Sequence, residues 1–261
     1  MKVLQFKNVC LNYYSDKGET VALENVNFDV NEGEFVSIVG PSGCGKTTIL
    51  SLISKLLTPT KGNILLNGVD ITQINKDTKD NFIGYMFQKD QLFEWRTIFK
   101  NVTLGLEITH QNTQENIEYA NTLLKKYGLW EFKDKHPHEL SGGMRQRVAL
   151  IRTLVLHPKI MLLDEAFSAL DFQTRINVCD DIHTILKQEN ITSILVTHDI
   201  TEAITMSDKI IVLSNRPAHV KNIHKMNFDK SLTPLKRRES ENVSKYFDII
   251  WKELNNEKQG I

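Results

Sequence analysis

The sequence predicts an α/β fold with a largely parallel central sheet. Helical patterns separate the strand-like runs, as the right-handed crossovers of a parallel sheet require. A long segment, roughly 90–158, has helical periodicity and no strong strand pattern, so we expect a helical insert there. Four apolar runs have the continuous hydrophobic character of strands buried on both faces: FVSIV (35–39), IMLL (160–163), SILVT (193–197) and KIIVL (209–213).

Composition and charge narrow the class of protein. The 261 residues include 32 basic and 32 acidic side chains, so no net charge favours nucleic acid or an anionic membrane surface. No apolar run approaches the ~20 residues of a spanning helix, and the start MKVLQFKNV lacks the apolar centre of a signal peptide. The three cysteines are scattered and fit a reducing compartment. We expect a soluble cytoplasmic protein that does not bind nucleic acid.

The N-terminal residues predict antiparallel strands that precede the first buried run. Alternation of apolar and polar residues is typical of strands with one exposed face. SDKGET (15–20) has the composition of a turn. The alternating apolar residues form three groups: Leu4/Phe6, Val9/Leu11/Tyr13 and Val26/Phe28/Val30.

A phosphate-binding pattern follows the first buried run directly. The segment 40–48, GPSGCGKTT, satisfies G-x-x-x-x-G-K-[ST] and opens the helical run TTILSLISKLL (47–57). Its glycines permit backbone angles that let successive N–H groups converge on a β-phosphate. Lys46 reaches the β- and γ-phosphates, and the Thr47 hydroxyl is placed to ligate Mg²⁺. The pattern alone leaves kinases, GTPases and motors open. The predicted phosphate-binding residues are Gly40, Pro41, Ser42, Gly43, Cys44, Gly45, Lys46, Thr47 and Thr48.

A second stretch, HELSGGMRQRVALIRTLVLHP (138–158), predicts another anion receptor. Ser141 precedes a run of helical periodicity, and Gly142 and Gly143 carry no side chain. A Ser N-cap followed by two glycines leaves backbone N–H groups exposed at the positive end of a helix dipole. The sequence therefore predicts two separate phosphate-binding parts in one chain.

Adjacent carboxylates end the run IMLL. Asp164 stands at the carboxyl end of the predicted strand, where open α/β sheets place ligand groups, and is predicted to hold Mg²⁺ through water. Because successive strand side chains point in opposite directions, Glu165 is free for a different task. We expect Glu165 to be the general base that activates water.

Polar residues follow two further strand-like runs. Gln88 comes after IGYMF (83–87), and His198 follows SILVT. At the same sheet edge His198 would contact the γ-phosphate and orient the attacking water, and Gln88 would sense the metal and the water. A lone His after a strand is more often structural, and a lone Gln carries no weight. Neither residue decides the chemistry by itself.

The order of these motifs resembles the ATP-binding subunit of an ABC transporter over roughly residues 1–215. The motifs are Gly40 to Thr47, Gln88, LSGGMRQR (140–147), LLDE (162–165), SALD (168–171) and His198. LSGG followed by RQR is the most specific of them. The resemblance implies a P-loop NTPase core of the RecA-like type, with an N-terminal antiparallel β subdomain and an inserted helical subdomain.

The resemblance also assigns boundaries. It implies a single ABC-type ATPase domain whose core comprises 1–89 and 159–215, a helical subdomain at 90–158 that carries the signature, and a tail at 216–261 with a final helix at VSKYFDIIWKEL (243–254).

Members of this family work as head-to-tail dimers with ATP and Mg²⁺. The resemblance implies that Ser141, Gly142 and Gly143 face the ATP of a partner copy and that Asp171 lies at the seam between copies. It also implies an aromatic residue against adenine. Tyr13, which shares the face of Val9 and Leu11, fits that position better than Tyr14, and the choice stays open.

The segment FEWRTIFKNVTLGLEI (93–108) resembles an importer branch that serves nitrate, sulfonates, taurine and thiamine-precursor pyrimidines. Such subunits lie on the inner face of the cell membrane, bound to transmembrane permeases. A separate substrate-binding protein delivers the solute to those permeases. The resemblance implies that Phe93 and Trp95 line the groove for the permeases. The alternative is that Trp95 packs inside the helical insert.

Two other functions compete with this interpretation. A soluble ABC ATPase of DNA repair or translation usually carries a long coiled coil or a second ATPase domain, and neither is evident in this sequence. An inactive nucleotide-dependent scaffold conflicts with the presence of Lys46, Asp164 and Glu165. The transported solute is not encoded in this chain.

Overall fold

The computed structural model describes residues 1–16, 18–74, 83–229 and 231–255. The strands are β1 Lys2–Ser15, β2 Gly18–Asn31, β3 Phe35–Val39, β4 Lys61–Leu66, β5 Val69–Asp70, β6 Ile83–Met86, β7 Ile160–Asp164, β8 Thr192–Val196, β9 Lys209–Leu213 and β10 Val220–Lys225. The helices are α1 Lys46–Ile53, α2 Ile98–Val102, α3 Leu104–Ile108, α4 Gln114–Lys126, α5 Gly142–Leu154, α6 Phe172–Gln188, α7 Ile200–Met206, α8 Pro234–Arg237 and α9 Glu241–Asn255.

The strands form two sheets. An antiparallel sheet has the order β2-β1-β4-β5, and a larger sheet has the order β10-β9-β3-β8-β7-β6. Within the larger sheet β9, β3, β8, β7 and β6 are parallel, and only β10 runs antiparallel, to β9. The predicted α/β class with an N-terminal antiparallel sheet is confirmed.

The parallel strands are buried on both faces because each face has its own core. Ile160 and Leu162 of β7 face the core that includes the antiparallel sheet and α1. Met161 and Leu163, which alternate with them, face the core formed by the helical segment and α6. Continuous apolar sequence is the consequence of this two-sided burial.

The antiparallel sheet is larger than the sequence indicated. β1 and β2 pair as predicted, and their connection is shorter than the SDKGET turn because β1 extends to Ser15 and β2 begins at Gly18. β4 and β5 add to this sheet through β1 and were not predicted. β4 opens with three exposed residues that are not apolar, so its apolar part has only three residues, 64–66, and β5 has only two residues in all, which leaves no run long enough to predict either strand.

Between β6 and β7 the described residues form α2 to α5 and two short 3₁₀ helices, Trp130–Phe132 and Pro137–Glu139. Ala120, Leu123 and Leu124 of α4 are buried, as the predicted apolar stripe requires. Glu189, just after α6, accepts hydrogen bonds from Lys126 and Tyr127, each at 2.7 Å, and so ties the end of α4 to α6.

The described C-terminal residues, 216–229 and 231–255, contain more regular structure than their polar composition suggested. β10 pairs with β9, and α9 contains the predicted final helix with Ile250 buried at 0% exposure. The Arg237 guanidinium is buried and donates to the carbonyl oxygens of Thr205 and Ser207 at the end of α7. These residues therefore form part of the core fold rather than a loose extension.

Among the described residues, no helix combines the length and the apolar character that crossing a lipid bilayer requires.

Candidate functional site

The predicted catalytic residues meet at the carboxyl edge of the parallel sheet. The loop 40–48 follows β3, His198 follows β8, and Asp164 is the last residue of β7. β3, β8 and β7 are neighbours in that order, and β6, which precedes Gln88, lies beyond β7. Four distant parts of the sequence are thus brought to one edge by strand order alone.

The loop 40–48 has the backbone that a phosphate cradle needs. Gly43 and Gly45 have φ of 73° and 124°, in the region that favours glycine. A Cβ atom at Gly45 would lie 2.9 Å from Cδ2 of Leu23, so the helix start also approaches β2 closely. Lys46 donates to the carbonyl oxygens of Gly40 and Pro41 at 2.9 and 3.0 Å, which holds its ammonium group across the loop.

Cys44 lies within this loop, and the residue is buried at 2% exposure. Burial raises the pKa of the Cys44 thiol, while the nearby Lys46 opposes that shift. A helix start by itself would lower the pKa, but desolvation outweighs it here. Cys44 therefore fills space beneath Gly40, where an added Cβ would lie 2.8 Å from the sulfur.

Thr47 and Asp164 lie side by side, although 117 residues separate them. The Thr47 hydroxyl is 3.4 Å from Oδ1 of Asp164, and the Tyr85 hydroxyl donates to Oδ2 of Asp164 at 2.8 Å. Burial raises the pKa of Asp164, and the hydrogen bonds from Tyr85 and Thr47 oppose that shift. Burial and the contact with Asp164 raise the pKa of Tyr85, so its hydroxyl is protonated and donates.

Glu165 points away from Asp164, toward His198. Oε2 of Glu165 lies 3.4 Å from Nδ1 of His198. The Glu165 N–H donates to the Val196 carbonyl oxygen at 2.9 Å, and its φ of 47° turns the chain sharply at this point. The two adjacent carboxylates have different neighbours, but Glu165 lies one residue beyond the end of β7, so the turn at this residue, rather than alternation along a strand, sets its direction.

The turn that carries His198 is held by hydrogen bonds on both sides. The Thr197 hydroxyl donates to the buried Glu202 carboxylate and accepts from the Asp199 N–H at 3.0 Å. The Asp199 carboxylate accepts from the Glu202 N–H at 3.0 Å and caps α7. Burial raises the pKa of Glu202, with the Thr197 hydrogen bond opposing it. His198 itself stays exposed at the sheet edge.

Gln88 approaches Glu165 rather than Asp164. Its Nε2 donates to the Ser168 hydroxyl at 2.9 Å, and that hydroxyl donates to the Glu165 carbonyl oxygen at 2.9 Å. Gln88 is exposed, so its side chain is free to move from this contact toward a ligand.

Tyr13 rather than Tyr14 lies against the phosphate loop. The Tyr13 hydroxyl is 3.1 Å from the Thr48 hydroxyl, and 38% of the residue is exposed. Tyr14 is 71% exposed. The alternation along β1 places them on opposite faces.

The signature stretch forms a helix start, as the sequence predicted. Ser141 is the N-cap of α5, and its hydroxyl accepts from the Met144 N–H at 3.3 Å. Gly142 is exposed, whereas Gly143 is buried against α6. A Cβ at Gly143 would lie 2.9 Å from Val178, so this glycine is required for packing within the chain.

Asp171 is the N-cap of α6, and its carboxylate accepts from the Thr174 N–H at 3.0 Å. Arg175 of the same helix donates to the Leu170 carbonyl oxygen at 3.0 Å and lies 3.7 Å from the Asp199 carboxylate. The segment that ends at Asp171 is therefore linked to the turn of His198.

The site residues fall into two groups. The first group lies together at the sheet edge and comprises the loop 40–48, Asp164, Glu165 and His198. Gln88 is linked to Glu165 of this group through the Ser168 hydroxyl. In the described part of the chain, no hydrogen bond or ion pair joins residues 141–143 or Asp171 to the loop 40–48.

Comparison with known proteins identifies the family of the chain. The ABC transporter family model matches residues 23–168. The chain belongs to the ABC transporter family. As such it is an ATP-binding and ATP-hydrolysing subunit.

Individual relatives cover most of the chain. The ABC transporter ATP-binding protein YtlC of Bacillus subtilis is 44% identical, over 99% of this chain and 98% of its own length. The nitrate import ATP-binding protein NrtD of Synechocystis is 39% identical, over 80% of this chain and 76% of its own. The dimeric post-hydrolysis structure of the cassette MJ0796, bound to ADP and Pi, is 33% identical with a TM-score of 0.71, over 87% of this chain and all of the other.

The donor groups of this ABC transporter ATPase fit a nucleotide and a hard divalent cation. The glycine backbone of the loop leaves room for phosphate oxygens, since a Cβ at Gly43 would meet nothing within 4 Å. The Thr47 hydroxyl and the Asp164 carboxylate offer the oxygen ligands that Mg²⁺ prefers.

Trp95 of this ABC transporter ATPase is 76% exposed and lies beside Phe93, with ring centroids 4.8 Å apart. The alternative that Trp95 packs inside the helical insert is therefore wrong. In the same segment, Asp90 and Glu94 bind Arg145 of α5 at 2.8 and 2.7 Å.

A cleft of about 360 Å³ opens next to this ion-pair cluster, between the segment 89–92 and the start of α5. Its lining includes Leu92, Gly142, Gln146 and Leu170. The cleft therefore reaches from the segment after Gln88 to the signature stretch.

The sequence reasoning missed Tyr85, Ser168 and Glu202 as parts of the site. Each acts through a neighbour: Tyr85 through Asp164, Ser168 through the Glu165 carbonyl and Glu202 through Thr197. One signal for Tyr85 was present, because it belongs to the strand-like run before Gln88. That signal could not identify its partner Asp164, which lies on a different strand.

Proposed function

We propose that this ATPase powers an importer, working as a head-to-tail dimer beneath separate transmembrane permease subunits on the inner face of the cell membrane. One observation carries the dimer: Ser141, Gly142 and Asp171 are exposed and, within the described residues, not joined to the loop 40–48 of their own chain. The import role is supported by the likeness to the nitrate import protein NrtD. A substrate-binding protein would deliver the solute to the permeases.

Each group at the sheet edge has a distinct task in the proposed hydrolysis. Lys46 and the N–H groups of the loop bind the β- and γ-phosphates, and Lys46 neutralises charge that develops there. Glu165 accepts the proton of the attacking water, and His198, 3.4 Å away, fixes the direction of that carboxylate and contacts the γ-phosphate. Tyr13 stacks on adenine, since it lies next to Thr48.

Thr47, Asp164 and Gln88 are the proposed residues at the cation. Mg²⁺, when bound, screens the charge on the β- and γ-phosphate oxygens. Thr47 would supply a hydroxyl ligand, Asp164 would hold the cation through water, and Gln88 would change its contact from Ser168 to the nucleotide site.

The two groups of site residues predict reciprocal sites in the dimer. Under two-fold symmetry the loop 40–48 of each copy faces Ser141 and Gly143 of the other copy, which gives two equivalent sites. The serine hydroxyl and the N–H groups at the start of α5 then contribute to binding the γ-phosphate. Asp171 lies at the seam, and its link through Arg175 to Asp199 connects that seam to His198.

Mixing two inactive variants tests the head-to-tail arrangement. Lys46→Ala destroys the loop of one copy, and Ser141→Arg blocks the signature stretch of the other. We expect each variant alone to lose ATPase activity and a mixture to regain it, because one of the two sites in a mixed dimer combines an intact loop with an intact signature. A mixture as inactive as each variant alone would contradict the arrangement.

The exposed Trp95, with Phe93 beside it, marks the proposed permease-binding surface. A charge there should weaken binding of an apolar or amphipathic permease segment while leaving ATP affinity unchanged. Trp95→Glu is compared with Trp251→Glu, which alters another exposed tryptophan, 53% exposed on α9. Copurification with coexpressed permeases should be lost for Trp95→Glu only, and equal recovery of both variants would reject this surface.

A further inference from the structure

Tyr85 is a residue that the hydrolysis scheme above leaves without a task. It lies on β6 opposite Leu162 of β7, two residues before Asp164 along that strand. The side chain is half-buried, and its ring packs at 4.5 Å from the ring of Phe87. Its hydroxyl is therefore held at the carboxyl edge of the sheet, where it reaches Oδ2 of Asp164 at 2.8 Å.

The two oxygens of the Asp164 carboxylate consequently have different partners. Oδ2 accepts from Tyr85, whereas Oδ1 is the oxygen near the Thr47 hydroxyl. The torsion that rotates a carboxylate about its last bond is broad, so an Asp without such a partner samples many orientations. A hydrogen bond to one oxygen restricts that rotation and presents the other oxygen in one direction.

We propose that Tyr85 is a positioning residue for the cation site, which fixes Asp164 so that Oδ1 faces Thr47 and the place of Mg²⁺. The inference rests on the proposed role of Asp164 at that cation. Groups that orient metal-binding carboxylates in this way typically change metal affinity about 10- to 100-fold when removed.

The position of Tyr85 in the chain adds a second consequence. Three residues later, Gln88 contacts Ser168, whose hydroxyl donates to the Glu165 carbonyl oxygen. One short segment, 85–88, therefore contacts Asp164 through Tyr85 and Glu165 through Gln88 and Ser168.

Tyr85→Phe removes the hydroxyl and keeps the ring that packs on Phe87. We would measure equilibrium binding of a fluorescent ATP analogue as Mg²⁺ is titrated, in a Glu165→Gln background that prevents turnover. The half-saturating Mg²⁺ concentration should rise about tenfold, while nucleotide affinity in EDTA stays unchanged. Tyr14→Phe, which alters an exposed tyrosine on β1, is the matched control and should leave both values unchanged.

An Asp164→Ala background separates positioning from general stability, because alanine has no oxygen to accept the hydrogen bond of Tyr85. The effect of Tyr85→Phe on the Mg²⁺ titration should disappear there, because Tyr85 acts through the Asp164 side chain. The inference alone would be overturned by an unchanged Mg²⁺ titration in Tyr85→Phe, or by an effect of Tyr85→Phe that persists in the Asp164→Ala background. If the nucleotide affinity of the chain with Tyr85 intact does not change as Mg²⁺ is added, the proposed cation site is overturned as well.

Discussion

The loop 40–48 lies at a sheet edge where neighbouring strands also place Asp164 and His198, whereas Ser141 and Gly142, at the start of α5, are exposed. The loop is surrounded by side chains of its own chain: Lys46 crosses it, and Thr47 meets Asp164. The signature stretch is held from behind, where Gly143 packs on α6, and by the ion pairs of Arg145 with Asp90 and Glu94. The loop is nearly complete within its own chain, whereas we propose that the signature stretch is completed by a second molecule.

The largest expected effect is that of Glu165→Gln, which should stop ATP hydrolysis while leaving ATP binding and dimer formation intact. Glu165→Gln should lower the ATPase kcat by at least about 100-fold, because it removes the base that accepts the water proton. ATP affinity should persist, and the dimer should accumulate in the ATP-bound form on size-exclusion chromatography. Glu115→Gln on the exposed face of α4 is the control and should retain full activity. A Glu165→Gln chain that hydrolyses ATP at the normal rate would reassign the base.

Acid should lower the free energy of unfolding through His183 of α6, the helix on which the signature stretch packs. Burial, then Arg237 and Lys187, lower the pKa of His183 to about 4, and Asp208 and Asp180 oppose them. This pKa lies below that of a histidine in the unfolded chain. The contribution of His183 to the free energy of unfolding is therefore fully present above pH ~6.5 and is lost as the pH falls toward 4. The loss is on the order of 3 kcal/mol at pH 4.

Urea unfolding across that pH range measures the effect. His183→Gln should flatten the profile between pH ~6.5 and 4, whereas His110→Gln, an exposed histidine, should not. Identical profiles for the parent chain and His183→Gln would show that His183 does not control acid stability.

The two signature glycines should differ in stability. A Cβ at Gly143 would lie 2.9 Å from Val178, while one at Gly142 would lie 3.1 Å from the more flexible Leu170. Gly143→Ala should therefore unfold at lower urea, by about 1–2 kcal/mol relative to Gly142→Ala, since any gain in helix propensity is shared. Equal midpoints would remove the proposed packing role of Gly143.

The smallest effect concerns the adenine contact. Tyr13→Ala should weaken ATP binding several-fold, equivalent to about 1 kcal/mol of stacking, whereas Tyr14→Ala should leave it unchanged. Isothermal titration calorimetry on each variant distinguishes them. The reverse order would assign the stacking role to Tyr14.

The parts that the sequence predicted share a local cause. Buried strands such as β3 and β7 are almost entirely apolar because both faces are covered, and the loop 40–48 is a continuous motif. β10 was missed because most of its residues are partly or fully exposed, so no apolar pattern marks it. Tyr85 was missed for another reason: its partner, Asp164, lies 79 residues away, and only strand pairing brings them together.

The packing of Gly143 against α6 has a consequence for association. Because the start of α5 is already held by its own chain, the surface that it would offer to a second copy in the proposed dimer is preorganised and needs no folding on contact. Little conformational entropy is then lost at this surface when two copies meet, so more of the attraction between triphosphate and helix start remains to hold them together.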